Sequence, residues 1–493
     1  VRPASRRLPE LLAGMADAVP ACDVSGLALD SRALRAGDLF LAARGLTHHG
    51  LDFLAAAEAA GAAAVAWEPP HAPVTSRLPL VEVPSLGRHL SRIADRWFEA
   101  PSATLAVVGV TGTDGKTSVA HFVAEALSEA GRPAGILGTL GYGLRGHTVM
   151  ASHTTPDALA VQRWLAAFRD TGARYAAMEV SSHALAQHRV EAVRFAVAVL
   201  TNLTRDHLDF HGSTDAYAAA KARLFTELAP AQAVLNLDDG FGAALAERLG
   251  DTRPVIGYGF GARPAAGLAG WVRGEGLRLD GGGLTLTVHS HRGSGELRSA
   301  LFGRFNAANL LAALATLLAL DLPFDEALAR VGRVSTVAGR MERFGGGARP
   351  LAVVDYAHTP HALESVLQAL REHAAGRLTC VFGCGGDRDA GKRPQMGAIA
   401  ERLADQVIVT HDNPRREDPA GIVADILAGL REPARASVIG DRRRAIRAAL
   451  AAAGAGDIVL IAGKGHEDYQ LIGDERLDFS DRAEVAAWFE GAA

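Results

Sequence analysis

Short apolar runs rich in Val, Ile and Ala recur along the chain. Each is followed by a polar turn and then by a stretch whose apolar residues fall at helical spacing. From Thr104 the runs are Thr104–Val110, Tyr175–Val180, Phe195–Leu200 and Ala233–Leu237. Such runs, alternating with amphipathic helices, predict an α/β fold on a parallel, doubly wound sheet. A Gly-rich stretch, Gly261–Leu301, interrupts the alternation and reads as inserted antiparallel strands, with a helix Asn306–Leu320 after it. Near Ala338 the same grammar restarts with Leu351–Asp355, Leu378–Phe382, Val407–Thr410 and Ile458–Ala462. The stretch before Thr104 is mixed α/β and is punctuated by Pro84 and Pro101. The pattern therefore predicts three α/β domains: 1–101, mixed; 102–337, a central parallel-sheet domain; and 338–493, Rossmann-like.

Length supports that division, since 493 residues make about three domains at roughly 150 residues each. A hydrophobic share of 48% and a charged share of 22% fit a globular chain. A net charge of -4 gives no bulk basic field to recruit nucleic acid. The longest apolar run, Leu310–Leu320, has 11 residues, well short of the roughly 20 that cross a bilayer, and reads as a buried helix. No signal peptide is recognisable, and Cys22, Cys380 and Cys384 supply no disulfide framework. A cytoplasmic monomer with small-molecule partners is expected, without nucleic acid and without a membrane span.

One count inside the charge total matters more. Of 51 Lys+Arg, only four are lysines: Lys116, Lys221, Lys392 and Lys464. Where Arg is the default cation, a surviving Lys marks a place where a guanidinium fails, because Lys is compact and can become a neutral nucleophile while Arg cannot.

All four lie in or beside segments dense in chemistry. Val107–Ser118 runs from a strand into a Gly-rich turn, Gly112-Thr-Asp-Gly-Lys-Thr-Ser118, and then into a helix expected to reach about Ala130. Backbone N–H groups of such a turn cradle phosphates, its Lys reaches the outer phosphates, and its Thr can ligate Mg²⁺. The glycines, Gly109, Gly112 and Gly115, depart from the common P-loop spacing, so this is a variant. Glu179, at the end of the next strand, can hold Mg²⁺ or be structural. Thr201–His211 packs Asp206, His207, Asp209 and His211 together, a density suggesting metal or catalysis, although a solvated loop reads the same way. Lys221 sits on a helix where a surface Lys is the ordinary reading, but the scarcity of Lys argues against it.

Asn306 and Asn309 open a helix and can contact a nucleotide; Asn306 also reads as an N-cap. In the last block Asp355–His358, Gly383–Asp389, Asp412–Arg415 and Gly463–Glu467 each follow a strand, where open α/β sheets bind ligands. Arg388 and Arg415 can clamp carboxylates, and Asp412 and Glu467 can hold an ammonium. The combination suits an amino-acid zwitterion, while each residue singly fits a surface ion pair.

Together these residues resemble the Mur ligase family, ATP-dependent amide-forming enzymes of peptidoglycan synthesis, over nearly the whole chain. The family's Gly-x-x-Gly-Thr-x-Gly-Lys-Thr loop matches the glycines here, with Asp114 where Asn is commoner, and His153 precedes Thr154-Thr155 where Asn is usual. The resemblance implies ATP binding by Gly112, Thr113, Asp114, Gly115, Lys116, Thr117 and Ser118, with Asn306, Asn309, Arg340, Asp355 and His358. It implies a uridine-diphosphate end at Leu29, Ser31, Leu46, Thr47 and His48, and a peptidyl part at His153, Thr154, Thr155, Ser181, Gln187 and Arg189. Thr117, Glu179, His207 and Lys221 would ligate Mg²⁺, with Lys221 carbamylated and Lys116, Lys221 and His207 catalytic. Asp412-Asn413-Pro414-Arg415 resembles the signature of the diaminopimelate-adding members, with Arg388, Gly463 and Glu467 as further amino-acid contacts. Arg415 would pair with the distal carboxylate of diaminopimelate and repel the ammonium of L-lysine. A lysine-adding relative, a folylpolyglutamate synthase and a P-loop ATPase of mechanical or regulatory function are the alternatives.

Overall fold

The computed structural model describes residues 5–491 apart from 46–47, 73, 130, 146, 152, 251 and 262–266. The chain forms two compact units: 1–273 with 290–292 and 311–331, and 274–289 with 293–310 and 332–493.

The first unit holds a two-stranded antiparallel ribbon, Arg6–Arg7 with Asp23–Val24, and two larger sheets. The smaller of these two, parallel, runs Gly26–Ala28, Asp38–Ala42, Ala64–Trp67, Leu80–Glu82 in spatial order. Alternate residues of its second strand face opposite ways: Leu39 and Leu41 join Ile93 and Trp97 of the helix Leu86–Trp97, while Phe40 and Ala42 join Leu51, Leu54 and Val65. The larger sheet has a parallel centre in the order Gly135–Gly138, Tyr175–Glu179, Ala106–Thr111, Phe195–Leu200, Gln232–Asn236, Val255–Gly259. Two antiparallel strands, Gly141–Leu144 and His147–Val149, extend one edge. The helix Ala158–Asp170 buries Val161, Leu165 and Phe168, an i, i+4, i+7 face, against Leu137 and Met178. The two sheets' segments are tied together, since Ser91 Oγ accepts from Ala192 N–H at 3.0 Å and Ser102 Oγ from Arg194 N–H at 3.1 Å.

The second unit is built on a sheet ordered Glu342–Gly345, Leu351–Asp355, Ile458–Ala462, Leu378–Phe382, Gln406–Val409, Ser437–Val438. The first pair is antiparallel and the rest parallel. Val353, Cys380 and Leu460 face one core, and Val354, Val381 and Ile461 the other. At the carboxyl end of its central strand, Arg442 and Asp481 form a bidentate pair with both side chains fully buried, and Arg442 Nη2 also donates to Ala462 O at 2.9 Å. Removing one partner of such a pair costs about 3–5 kcal/mol, so the loop after Ala462 leaves from a fixed point.

The strands Phe195–Leu200, Leu351–Asp355, Leu378–Phe382 and Ile458–Ala462 match the sequence reading residue for residue. Elsewhere the ends shift. Thr104 donates back to Pro101 O in a 3₁₀ turn, so that strand starts at Ala106. The helix expected to reach Ala130 ends at Leu127 because Ser128 turns extended. The helix expected over Asn306–Leu320 spans Arg304–Ala319. Gly261–Leu301 contains the strands Gly270–Asp280, Gly283–Ser290 and Gly293–Ser299.

Candidate active site

In the first unit the Gly112–Ser118 turn leaves the strand Ala106–Thr111 between neighbours ending in Glu179 and Leu200, at the carboxyl edge of the sheet. Gly112 has φ +147°, and a Cβ there would overlap Thr201 Oγ1; Gly115, at φ +82°, precedes the helix Lys116–Leu127. The turn is pinned from the neighbouring loop: Asp114 N–H donates to Asn202 Oδ1 at 2.9 Å, and Thr201 Oγ1 donates to Asp114 O at 2.6 Å. Asp114 is thus held by its main chain, and the residue is exposed. Lys116 Nζ donates to Gly112 O and Thr113 O at 3.0 and 2.7 Å.

Glu179 is buried and accepts three bonds, from Thr117 Oγ1 at 3.0 Å, Thr139 N at 2.7 Å and Thr139 Oγ1 at 3.2 Å. From there one network runs through the residues expected to grip the peptidyl part. Thr139 Oγ1, with its proton on Glu179, accepts from Thr154 Oγ1 at 3.1 Å, Thr155 Oγ1 donates to Glu179 O at 2.7 Å, and Ser181 N–H donates to Thr155 Oγ1 at 3.0 Å. Arg189 Nη1 donates to Thr155 O at 2.8 Å, and its Nε and Nη2 grip Gln187 Oε1. Tyr142 Oη bonds both the N–H and the C=O of His153, fixing the backbone before Thr154.

Lys221 lies on the helix Thr214–Thr226, yet only 1% of it is exposed. Its Nζ donates to Gly112 O at 2.6 Å and sits 4.5 Å from the centre of the Tyr217 ring. Burial, reinforced by the positive charge of Lys116, lowers its pKa to about 6, so near neutrality the amine is largely unprotonated. His207 is exposed, with φ +51° and its ring 4.9 Å from that of His183. A cavity of about 300 Å³ is lined by Lys116, Lys221, His207, His153, Thr154, Thr155, Ser181 and Arg189, joined by Ser182, His183 and Tyr217. The donor set suits a hard cation: the Thr117 hydroxyl and Glu179 carboxylate are oxygen ligands already in register. Among the described residues no three His, Cys, Asp or Glu side chains gather as a metal group. The side chain of Asp209 lies outside the described atoms.

In the second unit Asn413, Lys464 and Glu467 bond one another, and Asn413 Oδ1 also accepts from Leu471 N–H at 2.9 Å. Arg415, at φ +53°, shares the strand Tyr469–Ile472: its N–H donates to Leu471 O at 3.0 Å, and its Nη1 donates to Gly386 O at 2.7 Å. A Cβ on Gly463 would lie 2.5 Å from Asp412 Oδ2. Arg388 is turned to its neighbour's carbonyl, with Nη1 3.3 Å from Asp387 O. Asp355 is buried and accepts from Met341 N and Ala357 N, each at 2.8 Å; burial raises its pKa. Arg340 Cζ lies 4.8 Å from the Tyr356 ring centre, and His358 Nδ1 bonds Tyr356 O at 2.8 Å. Asn306 Nδ2 donates to Phe302 O at 2.9 Å and Asn309 Nδ2 to Asn306 Oδ1 at 3.2 Å.

Models of three family domains match the chain: the Mur ligase family catalytic domain over residues 23–97, the Mur ligase middle domain over 110–317 and the Mur ligase glutamate ligase domain over 339–465. The chain belongs to the Mur ligase family. This Mur ligase is 51% identical over 471 residues to the UDP-N-acetylmuramoyl-L-alanyl-D-glutamate--2,6-diaminopimelate ligase of Ectopseudomonas mendocina, covering 94% of this chain and 95% of that one. It is 49% identical over 492 residues to the enzyme of the same name from Alkalilimnicola ehrlichii, covering 97% and 98%. A solved structure of a ligase of that name superposes with TM-score 0.75 at 35% identity, covering 99% of each chain. MurF from Acinetobacter baumannii, at 19% identity and TM-score 0.66, shares the fold.

The residues expected at the uridine end of this Mur ligase are less gathered. Ser31 opens a 3₁₀ turn after the strand Gly26–Ala28 and next to Leu29, and Asp30 caps that turn by accepting from Arg32 N–H at 2.9 Å. His48 follows the neighbouring strand Asp38–Ala42, is exposed, and accepts from Gly45 N–H through its carbonyl. Both segments lie at the carboxyl edge of one parallel sheet. Leu46 and Thr47 lie outside the described residues. The sequence reading missed Thr139, Tyr142, Tyr217 and the strand Tyr469–Ile472. Of these only Tyr217 carried a signal, one helical turn before Lys221.

Proposed function

We propose that this Mur ligase joins meso-2,6-diaminopimelate to the D-Glu γ-carboxylate of UDP-N-acetylmuramoyl-L-alanyl-D-glutamate, converting ATP to ADP and phosphate, in peptidoglycan biosynthesis. The observation that carries the reading is the hydrogen-bonded seat of Asn413 and Arg415 on the strand Tyr469–Ile472. It ties the main chain of Arg415 to the strand that also holds the Asn413 side chain, with the guanidinium donating to Gly386 O at 2.7 Å. That arrangement serves an amino acid whose far end is a carboxylate, and relatives about half identical along nearly the whole chain bear that name.

The γ-carboxylate attacks the terminal phosphorus of ATP, the bond to ADP breaks, and an acyl phosphate forms. The diaminopimelate amine then attacks the acyl carbon, and the bond to phosphate breaks as the amine loses its proton. Lys116 offsets charge on the moving phosphoryl group, and the N–H groups of Gly112–Ser118 hold the phosphates. Arg189 and Thr155, with Gln187 and Ser181, orient the dipeptide. Thr117, Glu179, His207 and a carbamylated Lys221 would hold Mg²⁺, which would neutralise phosphate charge there. Asn306, Asn309, Arg340, Asp355 and His358 complete ATP recognition, and Leu29, Ser31, Leu46, Thr47 and His48 take the uridine end. On this reading residues 1–101 bind the uridine end, 102–337 bind ATP and 338–493 bind the amino acid. The enzyme works as a cytoplasmic monomer; no helix among the described residues is long and apolar enough to cross a membrane.

An ADP-release assay with the UDP-dipeptide and a panel of amino acids tests this. Turnover is expected with meso-diaminopimelate and not with L-lysine; a preference for L-lysine sinks the assignment of Arg415.

A further inference from the structure

Lys464 has no part in the reaction just described, although it is one of only four lysines in the chain. It is fully buried. Its Nζ donates to Glu467 Oε2 at 3.0 Å and to Asn413 Oδ1 at 3.2 Å, and Asn413 Nδ2 donates to the same Glu467 Oε2 at 3.0 Å. The three groups close a triangle. Its surroundings are equally defined. The Tyr469 ring centre is 5.3 Å from Nζ, Tyr469 Oη donates to Glu467 Oε1 at 3.4 Å, and Leu471 N–H donates to Asn413 Oδ1 at 2.9 Å. Gly463 at φ +119° and Gly465 at φ +53° flank the lysine, a backbone path that L side chains resist.

A buried ammonium is expensive unless charge and hydrogen bonds compensate it. Here the compensating groups are two residues read above as contacts of the amino acid. The triangle occupies Oε2 of Glu467 and fixes the Asn413 amide, whose oxygen then has two donors. Glu467 Oε1, which among the described residues accepts only a long bond from Tyr469, is left to take an incoming ammonium. A guanidinium would not serve, since a wide planar fork does not fit a fully buried point between Asn413, Glu467 and Tyr469.

We propose that Lys464 is a positioning residue for the amino-acid substrate: it locks Asn413 and Glu467 into one rigid group and leaves a single carboxylate oxygen to receive the ammonium of a zwitterionic amino acid. The proposal rests on the reading of Asn413 and Glu467 as amino-acid contacts. Lys464 itself touches no substrate, so its loss falls on one Michaelis constant rather than on all three.

The test is steady-state kinetics and thermal unfolding of the full-length enzyme with Lys464→Met, Lys464→Gln and the double variant Lys464→Met/Glu467→Gln. The KM for meso-diaminopimelate is expected to rise about tenfold or more, the scale of a lost hydrogen bond to a charged group. The KM values for ATP and the UDP-dipeptide stay within about twofold. The double variant, which leaves no unpaired buried charge, recovers the unfolding temperature but not the KM for the amino acid. A rise shared equally by all three KM values, or none, overturns the proposal. If the wild type releases ADP with another amino acid instead, the functional reading fails, and the same contrast is measured with that amino acid. Calorimetric titration of meso-diaminopimelate into wild type and Lys464→Met reads it without turnover: equal affinities overturn the proposal.

Discussion

Lys221 shows how a position changes what a side chain can do. On an exposed helix face it would be a cation; 1% exposed and beside Lys116, its pKa falls to about 6. In the unfolded chain the amine keeps its proton up to its ordinary value near 10.5. Between those values the unfolded state binds the proton that the folded state has released, so this group's contribution to stability rises with pH across the window. The same neutrality suits the amine to add CO₂, which an Arg in its place cannot do. Lys221→Arg is therefore expected to cost activity beyond the roughly 10–100-fold of a lost outer-shell metal partner. Labelling with ¹³C-bicarbonate should yield a carbamate carbon resonance in the wild type and not in the variant. Normal turnover by a folded Lys221→Arg enzyme returns the residue to a packing role. Lys221 was legible through composition, because an Arg-rich chain spares Lys for special places. The partners were not. Gly112 meets Lys221 through a carbonyl oxygen and Leu471 meets Asn413 through an N–H, and main-chain groups leave no mark on residue type.

Among elements, the parallel strands were the most legible, since strands buried on both faces are continuous apolar runs. Their ends were less so, because a cap or turn such as Ser128 or Pro101–Ala103 decides them locally. Least legible was the strand pair Tyr469–Ile472 and Glu475–Asp478, half-exposed or exposed along its length and without an apolar run to announce it. It is this pair that seats Arg415. A second junction invisible in the sequence lies within the second unit, where the helix Pro360–His373 ends under the segment that opens the helix Arg304–Ala319. Phe302 is stacked on His373 with ring centres 3.9 Å apart, and Arg343 Cζ lies 4.0 Å from the Phe302 ring centre. His373 Nε2 accepts from Gly303 N–H at 2.9 Å, so Nδ1 carries the proton toward Asp280 O. Burial, with the charge of Arg343, holds the imidazole below its ordinary 6.5. As pH falls through 6.5 the unfolded ring takes a proton before the folded one, so stability present above 6.5 is lost on the acid side. His373→Gln removes the titration, and its unfolding temperature is expected to decline less steeply below pH 6.5 than that of the wild type. Parallel declines in wild type and variant would show that His373 does not contribute.

For the whole molecule, the residues proposed for the chemistry fall in two units of one chain. Lys116, Glu179 and Lys221 belong to the first, and Asn413, Arg415 and Glu467 to the second. The charge of -4 steers little, so recognition rests on local groups rather than on a long-range field. A ligand that binds only the folded state stabilises most strongly the segments that it touches. Hydrogen exchange with a non-hydrolysable ATP analogue should therefore slow most at Gly112–Ser118 and at Thr201–Asn202, whose groups pin that turn. Exchange with meso-diaminopimelate should slow most at Asp412–Arg415 and Gly463–Ile472. The main-chain bonds Arg415 N–H to Leu471 O and Gly473 N–H to Arg415 O make the second set a single cooperative patch, so its amides should gain protection together. If diaminopimelate protected the first set and left Asp412–Arg415 unchanged, the amino-acid site would have to be moved out of the second unit, and with it the role given to Arg415.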